Sequence, residues 1–155
     1  MNKIESFKIN HDILERGIYV SRIDGDVITY DIRMKKPNGG EYLAPDAMHT
    51  IEHIFATYVR NSKFSKSVLY FGPMGCRTGF YLLMRDVVSK EDVIALIKDA
   101  FMCVADFEGD IPGNSRIECG NYLEHDISGA KIEAQKMESV LKNWTQDDMK
   151  YKEAE

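Results

Sequence analysis

The sequence predicts an α+β fold, a single domain in which a largely antiparallel sheet carries helices packed on one face. Three observations predict it. Strand-like runs outnumber helices that could act as crossovers. The first two runs meet at Asp24-Gly25, a tight-turn signal. The longer segments place apolar residues on one helical face. A chain of 155 residues with 44% hydrophobic content has room for one core.

Taken in order, residues 17–23 alternate as a strand and 26–34 (DVITYDIRM) follow as its hairpin partner. Residues 36–45 (KPNGGEYLAP) read as a loop from their glycines and prolines. Pro45-Asp46 opens a helix with Asp46 as N-cap; Ile51, Ile54, Phe55, Tyr58 and Val59 give its apolar period, and it fades near Asn61 and Ser62. Residues 67–71 form a strand cut by Gly72-Pro73, and 80–88 form another. Ser89 to Asp92 outline a capping box for a helix reaching about residue 107, with Val93, Ile94, Leu96, Ile97, Ala100, Phe101 and Val104 inward. A loop over 108–120 contains Pro112, Gly113 and Cys119. The last helix spans about 128–144, with apolar Ile132, Met137, Val140 and Leu141, and the charged segment 145–155 is expected to fray. There is no internal repeat and no low-complexity segment.

A net charge of −5 argues against nucleic-acid binding and against docking on anionic membrane. No stretch approaches the roughly 20 apolar residues of a membrane span, and the N-terminal residues lack the apolar run of a signal peptide, so a cytoplasmic location is expected. Three cysteines are too few and too odd a set for a disulfide framework. In a reducing compartment they fit metal binding, catalysis or burial.

The most informative string is His49-Thr-Ile-Glu52-His53. On a helix, residues four apart stand on one face, so His49 and His53 could share a metal ion with Glu52 at the edge of that face. This is the working part of H-x-x-E-H sites, where imidazoles ligate and the carboxylate moves protons. A catalytic site of this type takes three protein ligands, and Cys119, on a glycine-containing loop, is the best third candidate. A Cys/His/His set suits zinc or ferrous iron. His125, just after that loop, is a further candidate polar group. Two rival readings remain open. One is a small zinc metallopeptidase of the inverted motif, with Glu118 or Glu124 as third ligand. The other is a non-catalytic metal-binding domain, with His125 closing a four-ligand site.

A second unusual stretch is Pro73-Met-Gly-Cys76-Arg-Thr-Gly-Phe80. Glycines close to Cys76 allow sharp turns and close approach to a ligand. Arg77 would lower the thiol pKa if its side chain turned back on it. Cys103, among Ala100, Phe101 and Val104, reads as a core residue.

These pieces, with Glu118-Cys119-Gly120, occur in the order and spacing of the LuxS family of S-ribosylhomocysteine lyases, the synthases of the autoinducer-2 precursor. Glu5-Ser6-Phe7 with His11 and Asp31-Ile32-Arg33 also match. The resemblance covers nearly the whole chain, from about residue 4 to the last helix. It implies a homodimer with active sites at the subunit interface and one divalent metal per subunit, Fe²⁺ natively and often Zn²⁺ or Co²⁺ in preparations. It implies His49, His53 and Cys119 as ligands, Glu52 and Cys76 as the acid/base pair, and Ser6, His11 and Arg33 as substrate contacts. The implied reaction moves the ribose carbonyl twice and then eliminates homocysteine, leaving 4,5-dihydroxy-2,3-pentanedione, a product used in quorum sensing or formed in methionine-cycle recycling. The sequence departs from the pattern at Tyr70-Phe71-Gly72, because many members carry serine next to the proline.

Overall fold

The computed structural model describes residues 1–153. Strands β1 (Gly17–Asp24) and β2 (Val27–Arg33) form the hairpin, turning at Gly25 with φ +60°. Helix α1 (Pro45–Arg60) follows, then β3 (Val68–Pro73) and β4 (Gly79–Arg85), then α2 (Lys90–Ala105) and α3 (Ile127–Leu141). The four strands lie in the order β1-β2-β4-β3, and every neighbouring pair is antiparallel. Alternation sends Ile18, Ile28, Tyr30, Ile32, Phe80 and Leu82 to one face, where they join the buried sides of all three helices. The core is tied across elements by aromatic rings. Phe55 of α1 stacks on Phe71 of β3 at 4.1 Å and meets Phe101 of α2 edge-on at 5.2 Å, while Phe71 stacks on Phe80 of β4 at 4.8 Å.

Several element ends differ from the sequence expectation, each for a local reason. Asp46 is not the cap of α1. Ala44 holds that position because Pro45, with its fixed φ and no N–H, suits the first helical turn. β3 runs through Gly72 and Pro73, which pair with Tyr81 and Phe80; it is an edge strand, where a missing N–H is tolerated. Gly79 is required where it stands, since a Cβ there would strike the Ile32 carbonyl of β2. The Ser89 hydroxyl accepts from the Asp92 N–H, as expected of a cap. Helix α3 starts earlier than expected, because Asp126 accepts from the Gly129 N–H, and it stops at Leu141. Its buried face is Ala130, Ala134, Met137 and Leu141, whereas Ile132 is exposed. Small alanines allow α3 to lie close to α1 and α2.

The segment after Thr145 is the largest difference. It does not fray over its described part. Thr145 and Asp148 form a reciprocal capping box, Met149 is buried in the core, and the Tyr151 ring stacks on Tyr19 at 5.1 Å. The Trp144 indole N–H donates to the Ile18 carbonyl of edge strand β1. Met149 and Tyr151, with Trp144 just before them, thus anchor a charged segment. Residues 154–155, also within the segment expected to fray, lie outside the described residues.

Candidate metal centre and reactive cysteine

Helix α1 puts His49 and His53 one turn apart, with ring centroids 4.6 Å from each other. Main-chain carbonyls hold both rings. His49 Nδ1 donates to Glu124 O at 2.7 Å, and His53 Nδ1 donates to Pro112 O at 2.8 Å. A carbonyl only accepts, so each Nδ1 carries the proton and each Nε2 offers a lone pair. Cys119 meets those lone pairs, with Sγ 3.4 Å from His49 Nε2 and 3.8 Å from His53 Nε2. The Asn121 N–H points at the same sulfur, and the Cys119 N–H is anchored on the Ser115 carbonyl.

His125 completes the group. Its ring stacks on His49 at 4.2 Å, and one potential ligand atom from each of His49, His53, Cys119 and His125 lies within 4.8 Å of the others. Its Nε2 is buried and has no hydrogen-bond partner. Burial, followed by the neighbouring His49 and His53, holds the His125 pKa below the usual imidazole value. Neutral imidazoles and a thiolate are the donor set of a borderline-soft divalent cation, and a buried nitrogen with no partner is the expected mark of a place built for one. The residues therefore fit a metal ion. Glu52 opens on a cleft of about 400 Å³ bounded by His53, Tyr70, Phe71, Pro112 and Gly113. Gly113, at φ +71°, leaves space beside the His53 ring that a side chain would crowd.

The stretch around Cys76 forms a tight turn between β3 and β4. Met74 and Gly79 pair through N–H and carbonyl, and Arg77 takes a left-handed φ of 59°. Cys76 is exposed, and its sulfur lies 3.0 Å from the Thr78 hydroxyl oxygen. That oxygen accepts from Arg33 at 2.8 Å, which leaves its own proton available to the sulfur in the thiolate form. Arg33 is held in turn by a two-pronged bond to Asp31 (3.1 and 2.7 Å), and the Tyr151 hydroxyl donates to the same carboxylate at 2.6 Å. Both charges are buried, at 2% and 0% exposure, so the pair is locked out of water. Burial pulls the Arg33 pKa down, but the Asp31 charge and hydrogen bond, with smaller contributions from Cys76 and Tyr151, together outweigh it, and the net shift is upward.

Arg77 does not turn back on the thiol. It donates to the Leu43 carbonyl and lies over the Tyr42 ring. Thr78, backed by Arg33, stands beside the sulfur instead. Cys103 is partly buried against the core, and burial, then Asp106, pushes its thiol pKa up. Ser6 sits in a surface turn, and the His11 ring bonds to the nearby Ile9 carbonyl; among the described residues neither of them joins either cluster. Thr50, Thr78 and Tyr151 were not marked by the sequence. Thr78 had a signal, two residues after Cys76 in the same turn. Tyr151 had one in the aromatic and apolar side chains of a charged tail.

Residues 4–148 match the S-ribosylhomocysteinase (LuxS) family. The chain belongs to the LuxS family. It is 49% identical to the S-ribosylhomocysteine lyase of Phocaeicola vulgatus, covering 97% of this chain and 98% of that protein. The corresponding enzyme of Clostridium acetobutylicum is 42% identical over 99% of this chain and all of its own length (100%). That of Finegoldia magna is 46% identical over 99% and 100%. At the LuxS departure noted above, the Tyr70 hydroxyl occupies the place that a Cβ on residue 72 would take. Gly72 therefore leaves room for the exposed Tyr70 side chain, which lies back along β3.

Proposed function

We propose that this protein is a metal-dependent S-ribosylhomocysteine lyase that releases homocysteine and 4,5-dihydroxy-2,3-pentanedione, the autoinducer-2 precursor. The observation that carries the reading is the convergence of His49 Nε2, His53 Nε2 and Cys119 Sγ in a LuxS-family chain. His49, His53 and Cys119 would hold one divalent cation per subunit, with Fe²⁺ as the native metal and Zn²⁺ or Co²⁺ as working substitutes. When bound, that cation supplies Lewis-acid stabilisation of oxygen charge, worth several kcal/mol in order of magnitude.

The chain's own groups then move protons. The thioether carbon of the substrate is ribose C5, and no good leaving path exists while the carbonyl is at C1. Shifting the carbonyl to C2 and then C3 requires, each time, removing the C–H proton of the neighbouring hydroxyl-bearing carbon and returning a proton to the carbon that was the carbonyl. Once the carbonyl is at C3, loss of the C4 proton expels the sulfur from C5, and the departing thiolate takes up a proton. Cys76 and Glu52 are the two proton carriers, each worth about 10²–10⁴-fold. The Thr78 hydroxyl, which accepts from Arg33, is free to donate to the Cys76 sulfur. Glu52 lines a cleft beside His53, which supports assigning it the second proton carrier on the α1 side.

Ser6, His11 and Arg33 are proposed substrate contacts. Ser6 and His11 lie on the N-terminal segment that also exposes Ile4 and Phe7, which suits a segment that packs on a second copy and reaches its site. The working form is thus a cytoplasmic homodimer with sites at the interface. No described helix is long and apolar enough to cross a membrane. The test is to add S-ribosylhomocysteine and follow free thiol with a thiol reagent. One thiol per substrate is expected. Absence of thiol release from metal-loaded protein overturns the reading, and cleavage of peptides instead would favour the metallopeptidase.

A further inference from the structure

We infer that Tyr151, in the C-terminal segment, is a positioning residue for Cys76: by holding Asp31 from behind, it keeps Arg33 turned toward Thr78 and the sulfur. That Cys76 moves protons rests on the lyase reading above; that Tyr151 governs the reactivity of its thiol does not. Tyr151 lies outside residues 4–148, the span that matches the LuxS family, so nothing in that match assigns it a part. Its hydroxyl nevertheless begins a continuous chain of contacts that ends at the sulfur. Asp31 Oδ2 accepts from Tyr151 at 2.6 Å and from Arg33 Nη2 at 2.7 Å, while Oδ1 accepts from Arg33 Nε at 3.1 Å. That grip occupies one edge of the guanidinium. The remaining nitrogen, Nη1, donates to Thr78 at 2.8 Å, and Thr78 stands 3.0 Å from Cys76 Sγ.

Electrostatics give the chain its direction. The guanidinium favours negative charge on the sulfur, and the carboxylate behind it opposes that charge. Both are buried, so water screens neither of them well. A donor on the carboxylate takes up part of its charge and weakens the opposing field. It also competes with Arg33 for Oδ2, which keeps the guanidinium from being drawn wholly onto Asp31 and away from Thr78. The phenol is well fixed for this work. Its ring stacks on Tyr19 with planes 19° apart, and Met149 is buried in the core two residues before it. The other ionisable groups near the sulfur do not compete. Burial, then the Asp31 charge, pushes the Tyr81 pKa up and keeps that phenol neutral, and the Arg77 side chain leaves for the Leu43 carbonyl. The balance between Arg33 and Asp31 is therefore what acts on Cys76, and Tyr151 is the group that touches it from outside the sheet.

Alkylation of the zinc-loaded full-length protein by iodoacetamide tests this, with peptide masses reading Cys76 and Cys103 separately. Tyr151→Phe keeps the ring and its stack on Tyr19 but donates nothing to Asp31. At neutral pH its Cys76 should be modified about two- to tenfold more slowly than in the wild type, the range that one hydrogen bond spans. The two rates should converge as pH rises far enough to ionise the thiol in both proteins. Cys103 should react at the same rate in both, which a merely loosened fold would not allow. In the lyase assay kcat should fall by a similar factor with KM little changed. Equal Cys76 rates at neutral pH overturn the role of Tyr151. Faster modification of both cysteines in the variant also overturns it, because the tail then serves only to hold the fold. Absence of thiol release from the wild type, with the alkylation difference intact, overturns the lyase reading and leaves the positioning standing.

Discussion

At the start of α1, three imidazoles and a thiol converge through contacts made within one chain, each ring steered by a main-chain carbonyl or a buried hydroxyl. At the end of the sheet, Cys76 stands exposed on a turn, joined through Thr78 to a buried Arg33–Asp31 pair and from there to Tyr151 in the C-terminal segment. The first cluster is complete in itself. The second is braced from behind and open in front, and Ser6 and His11 lie away from both. A site that must hold a cation tightly gains from being self-contained. A proton carrier that must reach a substrate gains from a rigid back and an accessible face. This contrast predicts which substitutions remove the metal, which remove only turnover and which weaken the fold.

The largest effect is expected at the self-contained cluster. Replacing His49, His53 or Cys119 by Ala should leave well below one equivalent of metal per chain and abolish thiol release. Metal analysis after gel filtration checks it. Full metal content in Cys119→Ala would remove the thiol from the ligand set and dissolve the contrast.

Cys76→Ala should keep its metal and lose about 10²–10⁴-fold in turnover or more. In the native protein, alkylation should modify exposed Cys76 well before Cys103, whose thiol pKa is raised by burial. The openness of this cluster also makes a subunit-mixing test informative. Cys76→Ala mixed with His11→Ala should recover up to about a quarter of wild-type activity, because half the random dimers hold one intact shared site. Cys76→Ala mixed with Arg33→Ala should recover nothing, since both residues belong to the same chain's cluster. Recovery in the second mixture, or none in the first, would place the subunit boundary elsewhere.

The same contrast explains what could be read from the chain. The i, i+4 histidines were legible because α1 is local: a helix puts them together whatever else the chain does. The hairpin, the four strands and the apolar faces of α1 and α2 were legible from period and turn chemistry. Cys119 was marked by its glycine loop, but His125 is held in the cluster by Thr50, 75 residues away, and no spacing rule reaches that far. Arg33 was legible only through family resemblance. It is buried against Asp31, and that carboxylate is also held by Tyr151, 120 residues later. The side of Cys76 that carries a charge was misplaced because Arg77 is its sequence neighbour, whereas the left-handed backbone at Arg77 swings that side chain toward Leu43.

A smaller effect, on stability, should follow from breaking the brace. Arg33→Ala leaves the Asp31 charge buried without its partner and should cost about 3–5 kcal/mol. Replacing both, as in Asp31→Leu with Arg33→Met, should recover much of that loss while turnover stays low, because Thr78 loses its donor. Urea denaturation of the two variants checks it. If the single variant were as stable as the double, water would already be reaching the pair.

The smallest effect concerns Tyr151, and it tests whether the tail belongs to the brace. Tyr151→Phe removes one donor from Asp31 but keeps the stack on Tyr19, so it should cost only about 1–2 kcal/mol at neutral pH. The pH dependence is more diagnostic. Burial, then the Asp31 charge, pushes the Tyr151 pKa well up and raises Tyr19 to about 12; burial, then Asp86, raises Tyr30 to about 12. In the unfolded chain these phenols ionise near about pH 10. Above that pH the unfolded state loses protons that the folded state keeps, so ionisation favours unfolding. The contribution is fully present below about pH 10 and falls as pH rises toward about 12. Wild-type stability should therefore drop steeply over that range, with tyrosinate absorbance appearing together with unfolding. Tyr151→Phe has one fewer such phenol and should show a shallower fall, converging on the wild type at high pH. Parallel stability curves for the two proteins across the alkaline range would mean that Tyr151 is not held against Asp31 in solution, and the brace behind Cys76 would then end at Arg33.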